Sequence, residues 1–414
     1  MKSEFLYIIY RRAKAKVSSL CFLLFRIFPI DTKLVSVCSF EGKGAFGCNP
    51  KYIVKRLHEE NPSIKFVWFM NKNIMDKDMP EYIKKVPNTL LSRAFWLTRS
   101  KIWIDNYRKP YGTKKRKGQI YFNTWHGMVG FKTIGLWRGN SFSKIAYLVS
   151  KNDSDMVDFF LSDSRFTKEY MPKGLLYDGE FLQAGSPRCD VLLNNVDERK
   201  LEFKEKYGIP MEDKCIMYAP TFRESKSVDG KRTVFANSSG IDFDKVLKNM
   251  TKKFGGKWHL CVRLHPQVKD AEIHLNESAY IDLSQEDDMN ENLAAMDALI
   301  TDYSSCAMDA EMMHIPIFIY SNDMEEYQEK RGDFVWKLSG EVRADASINK
   351  SILPMLDVKL PFSLAHNNEE LEEDILKFDI QRYLEKLCAY EDGIELIKDG
   401  RASEKVVKKI QEYM

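Results

Sequence analysis

The sequence predicts an α/β protein of two Rossmann-like halves facing a cleft, behind an amphipathic N-terminal helix. Three observations carry this. Short apolar runs of strand length alternate with helical stretches, which argues for βαβ units and parallel sheets. The runs fall into two series with a break near residues 175–190. Most residues capable of chemistry stand just after a strand, where open α/β sheets bind their ligands.

The 414 residues suffice for two or three ordinary domains. Apolar types at 44% and charged types at 30% are a globular composition. Lys and Arg (63) nearly balance Asp and Glu (60), which argues against a dedicated nucleic-acid binder. A mean hydropathy of −0.40 excludes a multi-span membrane protein. The eight cysteines form no C-x-x-C pair, and several lie inside apolar runs. Such thiols fit a reducing cytoplasm better than a disulfide framework. No metal-ligand spacing is present.

The first 30 residues place two apolar stretches, 5–10 and 17–28, around Arg11, Arg12, Lys14 and Lys16. Neither stretch reaches the roughly 20 residues that span a bilayer. Two readings stand: a helix lying at an anionic membrane surface, or one packed on its own domain. On the first reading, removing residues 1–30 leaves a folded protein. The first series of strands then runs 34–40, 65–70, 101–105 and 119–125, with a Gly-rich turn at 41–47 and a helix over 49–60. A basic run, Arg108, Lys109, Lys114, Lys115, Arg116 and Lys117, precedes the last of these strands. It reads as a solvated loop or as a face toward anionic lipid or a polyphosphate substrate. The second series runs 181–184, 215–219, 258–263, 298–301 and 316–320, with helices over 190–207, 242–254, 369–391 and 403–414. The expected domains are 31–180 and 181–414.

Five clusters close these strands: Thr124-Trp-His-Gly127, Gly185-Ser-Pro-Arg188, Tyr218-Ala-Pro-Thr-Phe-Arg223, Arg263-Leu-His-Pro266, and Thr301-Asp-Tyr-Ser-Ser305 with Asp309. Imidazole, guanidinium and hydroxyl groups gathered in this way suit a phosphate-bearing ligand. His126 and His265 would serve as base and as acid or charge stabiliser. Taken singly, each has a plainer reading: a loop histidine, a structural ion pair, a helix N-cap. Their repeated placement at strand ends is what distinguishes the set.

The series TWHG, GSPR-x-D, YAPTFR, RLHP and TDYSSCAMD resembles the CDP-glycerol glycerophosphotransferases of teichoic acid and glycerol-phosphate capsule synthesis, over about residues 34–327. The resemblance implies a GT-B architecture held peripherally at the cytoplasmic membrane face. It implies CDP-glycerol as donor and a polyprenyl-diphosphate-linked saccharide or growing polymer as acceptor. No cofactor is expected, and fixed cations and helix dipoles rather than a metal are expected to face the diphosphate. Carried over by motif, His126 is similar to the family's base and His265 to its second essential histidine. Gly127, Met128, Val129 and Gly130 match a donor-contact loop. Arg188, Pro220, Thr221, Arg263, Leu264, Ser304, Ser305 and Asp309 match donor-binding positions. The family's usual HG-Thr-Pro-Leu-Lys is here His126-Gly-Met-Val-Gly-Phe-Lys132, and Gly-Tyr-Pro-Arg is here Gly185-Ser-Pro-Arg188. These departures leave the polyol and the acceptor open.

The implied reaction is attack of an acceptor hydroxyl on the glycerol-side phosphorus, with CMP leaving. A hydroxyl needs a base within hydrogen-bond reach, and an imidazole, ordinarily near pKa 6.5, suits neutral pH. CDP-ribitol is an alternative donor. A sugar-nucleotide glycosyltransferase of the same architecture is a second alternative.

Overall fold

The computed structural model describes residues 2–226, 232–236, 240–264, 279–338, 347–353 and 356–414. They form two compact units. One comprises Met1–Met128, Thr133–Asp190 and Ile397–Met414, the other Val129–Lys132 and Val191–Leu396. The division falls after Asp190, where the sequence reading placed it after residue 180, and the C-terminal segment returns to the first unit.

The first unit is built on a parallel sheet of β1 (Asp31–Cys38), β2 (Lys65–Met70), β3 (Ile83–Pro87), β4 (Ser100–Asp105), β5 (Ile120–Asn123), β6 (Phe159–Ser162) and β7 (Glu180–Gln183). Their order is β3-β2-β1-β4-β5-β6-β7. Val35, Val37, Ile102, Trp103, Ile104, Tyr121 and Phe122 are fully buried along its centre. Strands buried on both faces read as continuous apolar runs, which is why the central ones are visible in the sequence. The edge strand β3, Ile-Lys-Lys-Val-Pro, was not, because lysines and a proline are tolerated at an edge.

The C-terminal helix Ala402–Gln411 belongs to this unit, and Asp190 caps it. The Asp190 carboxylate accepts from Ala402 N at 2.9 Å and Ser403 N at 2.7 Å. The helix expected over 190–207 is two, Asp190–Leu193 and Val196–Tyr207, because Asn195 takes a left-handed φ of 56°.

The N-terminal helix spans Lys2–Leu24. Ile8, Ala15, Ser18 and Phe22 are buried, and Ser19 Oγ donates to Gly112 O at 3.0 Å. Arg116 Nη1 donates to Phe28 O at 2.7 Å. The helix is therefore part of the first unit, and deleting it would uncover core, contrary to the expectation for residues 1–30. Apolar side chains are not confined to the buried face: Phe5 and Leu6 (each 64% exposed), Ile9, Tyr10, Val17, Leu20 and Leu24 lie in the open. Among the described residues no helix is long and apolar enough to cross a membrane.

The second unit holds β8 (Lys214–Tyr218), an antiparallel pair β9 (Phe222–Lys226) and β10 (Arg232–Ala236), then β11 (Trp258–Val262), β12 (Tyr280–Asp282), β13 (Ala298–Thr301) and β14 (Ile317–Tyr320). A short antiparallel pair, β15 (Trp336–Lys337) and β16 (Ser347–Ile348), precedes β17 (Ser363–Ala365). The main sheet is parallel, ordered β12-β11-β8-β13-β14-β17. Helices Phe243–Phe254 and Asn368–Leu376 cover one face, with Val246, Met250, Leu371 and Ile375 packed on Ile216, Leu260, Ile300 and Phe318. Both sheets follow the doubly wound order, so the two-Rossmann class expected from the sequence holds.

Candidate active site

In a doubly wound sheet the ligand crevice opens at the carboxyl ends of the strands flanking the reversal of strand order. In the first unit those strands are β1 and β4, so the loops after Cys38 and Asp105 frame it. Next to them β5 ends at Asn123, and the chain turns sharply through Thr124 and Trp125 to His126. Trp125 adopts a left-handed φ of 48°, a strained conformation for a bulky residue. Two asparagines hold it there. Asn123 Oδ1 accepts from Trp125 N at 3.0 Å, and Asn49 Nδ2 donates to Thr124 O at 3.3 Å and Trp125 O at 3.1 Å.

His126 Nδ1 lies 2.6 Å from Asn106 O. A carbonyl oxygen only accepts, so Nδ1 carries the proton and the lone pair of the neutral ring sits on Nε2. Aromatic rings fix the plane: Trp125 stacks at 4.8 Å, Tyr107 at 5.2 Å, and Phe40 meets the imidazole edge-on at 5.4 Å. Phe40, Glu41 and Cys48 also have positive φ, so strained backbone gathers around this ring. Asn106 itself is pinned, its Oδ1 accepting from Phe40 N at 2.7 Å and its Nδ2 donating to Ser39 Oγ at 3.2 Å.

Beneath this turn lies a buried polar floor. Lys109 Nζ pairs with Asp105 at 2.8 Å, the two side chains 3% and 2% exposed. Asp153 accepts from Lys109 N at 2.8 Å, Tyr121 Oη at 3.2 Å and Asn123 Nδ2 at 3.3 Å. Burial pushes the Asp153 carboxyl from its ordinary 3.8 up to about 7. A carboxyl that titrates higher in the fold than in the unfolded chain holds its proton more tightly when folded. Its contribution to stability is therefore lost as pH rises from about 4 to about 7. Asp153→Asn is expected to flatten the stability curve in that window. Urea midpoints near pH 5 and near pH 7 measure this, and equal slopes in variant and wild type would refute it.

Arg188 lies in the short turn Pro187–Cys189 after β7, in the first unit rather than in the expected donor half. Its N donates to Asn49 Oδ1 at 2.9 Å and its Nη1 approaches Cys48 Sγ at 3.8 Å. Asn49 thus ties the Arg188 turn to the His126 turn. Sequence reasoning missed Asn49 and Asn106; the one available signal was their position beside the Gly-rich turn at 41–47 and after β4. Gly127 and Met128 remain with the first unit, whereas Val129 and Gly130 belong to the second. There Gly130 faces Ser305, to which an added Cβ would come within 3.5 Å, and Phe131 O accepts from Val335 N at 2.8 Å.

In the second unit the strand order reverses between β8 and β13, which places Pro220 and Thr221 and the turn Asp302–Ser305 at the crevice. Thr221 donates to Asp302 through both N and Oγ1, each at 2.8 Å. Arg223 bridges two carboxylates, Asp302 at 2.9 Å and, bidentately, Asp323 at 2.5 and 2.9 Å. Its guanidinium also lies over Tyr327 at 4.5 Å and Tyr303 at 5.4 Å. Burial alone would lower its proton affinity, but the two carboxylates outweigh that and raise it. Ser305 precedes the short helix Cys306–Ala310 without a side-chain cap bond, and Ser304 Oγ accepts from Cys306 N at 3.4 Å. Asp309 accepts from Asn290 Nδ2 at 3.3 Å. Arg263 donates to Leu283 O and Glu286 O, both at 2.8 Å, so part of its fork anchors the loop after β12. Leu264 N donates to Ser284 Oγ at 3.0 Å. His265 lies outside the described residues.

The structure thus assembles two strand-end constellations: His126 and Arg188 around Asn49 in one unit, and Thr221, Ser304 and Ser305 around Asp302 in the other. The family model for CDP-glycerol:poly(glycerophosphate) glycerophosphotransferases matches residues 20–412. A teichoic acid poly(glycerol phosphate) polymerase of Staphylococcus epidermidis is 26% identical over 96% of this chain, which spans about half (53%) of that relative. A protein of the same description from Bacillus spizizenii is 26% identical over 99% of this chain and 100% of its own length. The solved structure of the wall teichoic acid polymerase TagF superposes with a TM-score of 0.74 at 24% identity, covering 100% of this chain and 98% of that one. That likeness agrees with the expected GT-B-type fold. The chain belongs to the CDP-glycerol:poly(glycerophosphate) glycerophosphotransferase family.

Proposed function

We propose that this protein transfers glycerol phosphate from CDP-glycerol to a hydroxyl of a growing teichoic acid or related polymer, releasing CMP. The observation that carries the reading is the His126 imidazole, fixed by Asn106 O and three aromatic rings at a strand end in a chain that matches the family along nearly its whole length. His126 Nε2 takes the proton of the attacking hydroxyl as the oxygen bonds to the glycerol-side phosphorus. The bond from that phosphorus to the CMP oxygen breaks, and charge accumulates on the departing phosphate. Arg263, Ser304 and Ser305 are the groups assigned to the donor diphosphate, while Thr221, both of whose donors go to Asp302, holds the turn beside them. Incubation with CDP-glycerol, CDP-ribitol and several nucleotide sugars tests the reading. CMP release from CDP-glycerol alone supports it, and nucleoside diphosphate release from a nucleotide sugar overturns it.

For donor binding, Arg263→Ala is expected to weaken CDP-glycerol by about 1.5–3 kcal/mol, the worth of a charge-assisted phosphate contact. Calorimetric titration reads this directly. An unchanged dissociation constant leaves Arg263 only its anchoring of the 283–286 loop.

The acceptor reading adds a polyprenyl-diphosphate anchor, which would require the protein to work at the cytoplasmic face of the cell membrane. The exposed apolar side chains of the first helix, together with Arg11, Arg12, Lys14, Lys16 and Arg26, suit an anionic bilayer surface. Each cation near such a surface contributes about 1 kcal/mol, screened by salt. Because the helix also buries Ile8 and Phe22, substitution tests this better than deletion. Replacing Phe5, Leu6, Ile9, Tyr10 and Leu20 with serine is expected to abolish sedimentation with anionic vesicles at low salt and to spare the fold. Undiminished sedimentation would put the membrane contact elsewhere.

A further inference from the structure

The basic run at 108–117 is taken apart by the fold. Lys109 is buried against Asp105, Lys115 pairs with Asp158, and Arg116 donates to Phe28 O and Thr98 O. Lys114 and Lys117 are exposed. Arg108 is different. It is half-buried, and among the described residues its guanidinium has neither an ion-pair partner nor a hydrogen-bond partner. It lies 4.9 Å above the ring of Trp125, which in turn stacks on His126 at 4.8 Å with 30° between the planes. A guanidinium held over an aromatic face by cation–π attraction spends none of its N–H donors on the ring's edge, so they stay available to an acceptor.

The carboxylates that act on Arg108 are otherwise engaged. Asp153 is enclosed by Lys109 N, Tyr121 Oη and Asn123 Nδ2, and Glu41 pairs with Lys43 at 3.5 Å. A second cation, Arg138, acts on Arg108 as a like charge. Half-buried positive charge without a counter-ion, one aromatic ring away from an imidazole, is a site that an anion completes.

We propose that Arg108 binds a phosphate oxygen of the substrate beside His126, as the recognition element for a phosphodiester in the incoming chain. This rests on the transfer reading above and deepens it. A polymer that carries one phosphate per unit offers such an oxygen close to the hydroxyl that must reach Nε2. The same chemistry could be presented by the donor diphosphate, and the experiment separates the two sources.

The variants are Arg108→Met, which keeps a long apolar stem over Trp125, and Arg108→Lys, which keeps the charge. The probes are CDP-glycerol and two soluble short-chain acceptors of equal length, one ending in glycerol phosphate and one without phosphate. The expected result for Arg108→Met is a rise in KM for the phosphate-bearing acceptor of roughly 10- to 100-fold. The KM for the phosphate-free acceptor and the donor dissociation constant stay at wild-type values, and Arg108→Lys recovers part of the loss. A rise in donor KM alone retains the phosphate contact and assigns it to the donor. Equal KM values in variant and wild type, or equal losses with both acceptors, overturn the proposal and leave Arg108 as packing for Trp125. If the wild-type protein releases no CMP, the transfer reading fails by itself. Calorimetric titration with a glycerol phosphate oligomer then decides Arg108: binding lost in Arg108→Met supports the site, and equal binding refutes it.

Discussion

His126→Ala is expected to lower turnover by on the order of 10²–10⁴ while leaving donor affinity nearly unchanged, since a base acts in the transition state. The structural ground is the tautomer. Asn106 O at 2.6 Å holds the proton on Nδ1 and so keeps the basic lone pair on Nε2, and Trp125, Tyr107 and Phe40 prevent the ring from turning away. A purely structural histidine would behave differently on removal: stability would fall, and the pH dependence of the residual rate would keep its shape. The expected outcome is a variant that melts close to wild type, binds CDP-glycerol, and has lost the acid limb of its pH–rate profile. Measuring kcat across pH with saturating acceptor checks this, and near-wild-type turnover would remove His126 from the chemistry.

The parts of this site that were legible in the sequence are those carried by buried parallel strands. Apolar runs such as Ile216–Tyr218 and Ile102–Ile104 mark strand centres, and polar residues just beyond them mark ligand-facing ends. What could not be read is anything set by strand order. The reversals between β1 and β4 and between β8 and β13 depend on which strands pair, and periodicity says nothing about pairing. Asn49 and Asn106 escaped for a related reason. Neither belongs to a motif, and each acts through contacts reaching far along the chain, as from Asn49 to Arg188. Arg188 was read into the wrong unit because the fold's division comes after its turn, at Asp190. For Arg263 the sequence offers a phosphate ligand or a structural ion pair, but not its carbonyl partners Leu283 and Glu286, which lie beyond a long connection.

Arg223→Met is expected to be the most destabilising of the substitutions considered. The guanidinium is 9% exposed and stands between Asp302 and Asp323, which are 5% and 19% exposed. Removing one partner of a buried ionic group leaves the others desolvated without compensation, at a cost of about 3–5 kcal/mol. Here the loss is compounded. Two like charges remain, and Thr221, which donates to Asp302 from both N and Oγ1, is positioned by the same carboxylate. Stability and donor binding should therefore fall together, because the Thr221 turn and the Ser304-Ser305 turn are braced by one network. Adding Asp323→Asn to Arg223→Met removes one orphaned charge, so the double variant should regain part of the loss, a non-additivity that independent sites would lack. Urea unfolding of the two single variants and the double variant measures the coupling. Additive losses would mean that the three residues do not act as one brace, and the second crevice would then have to be held by the β8 and β13 backbone alone.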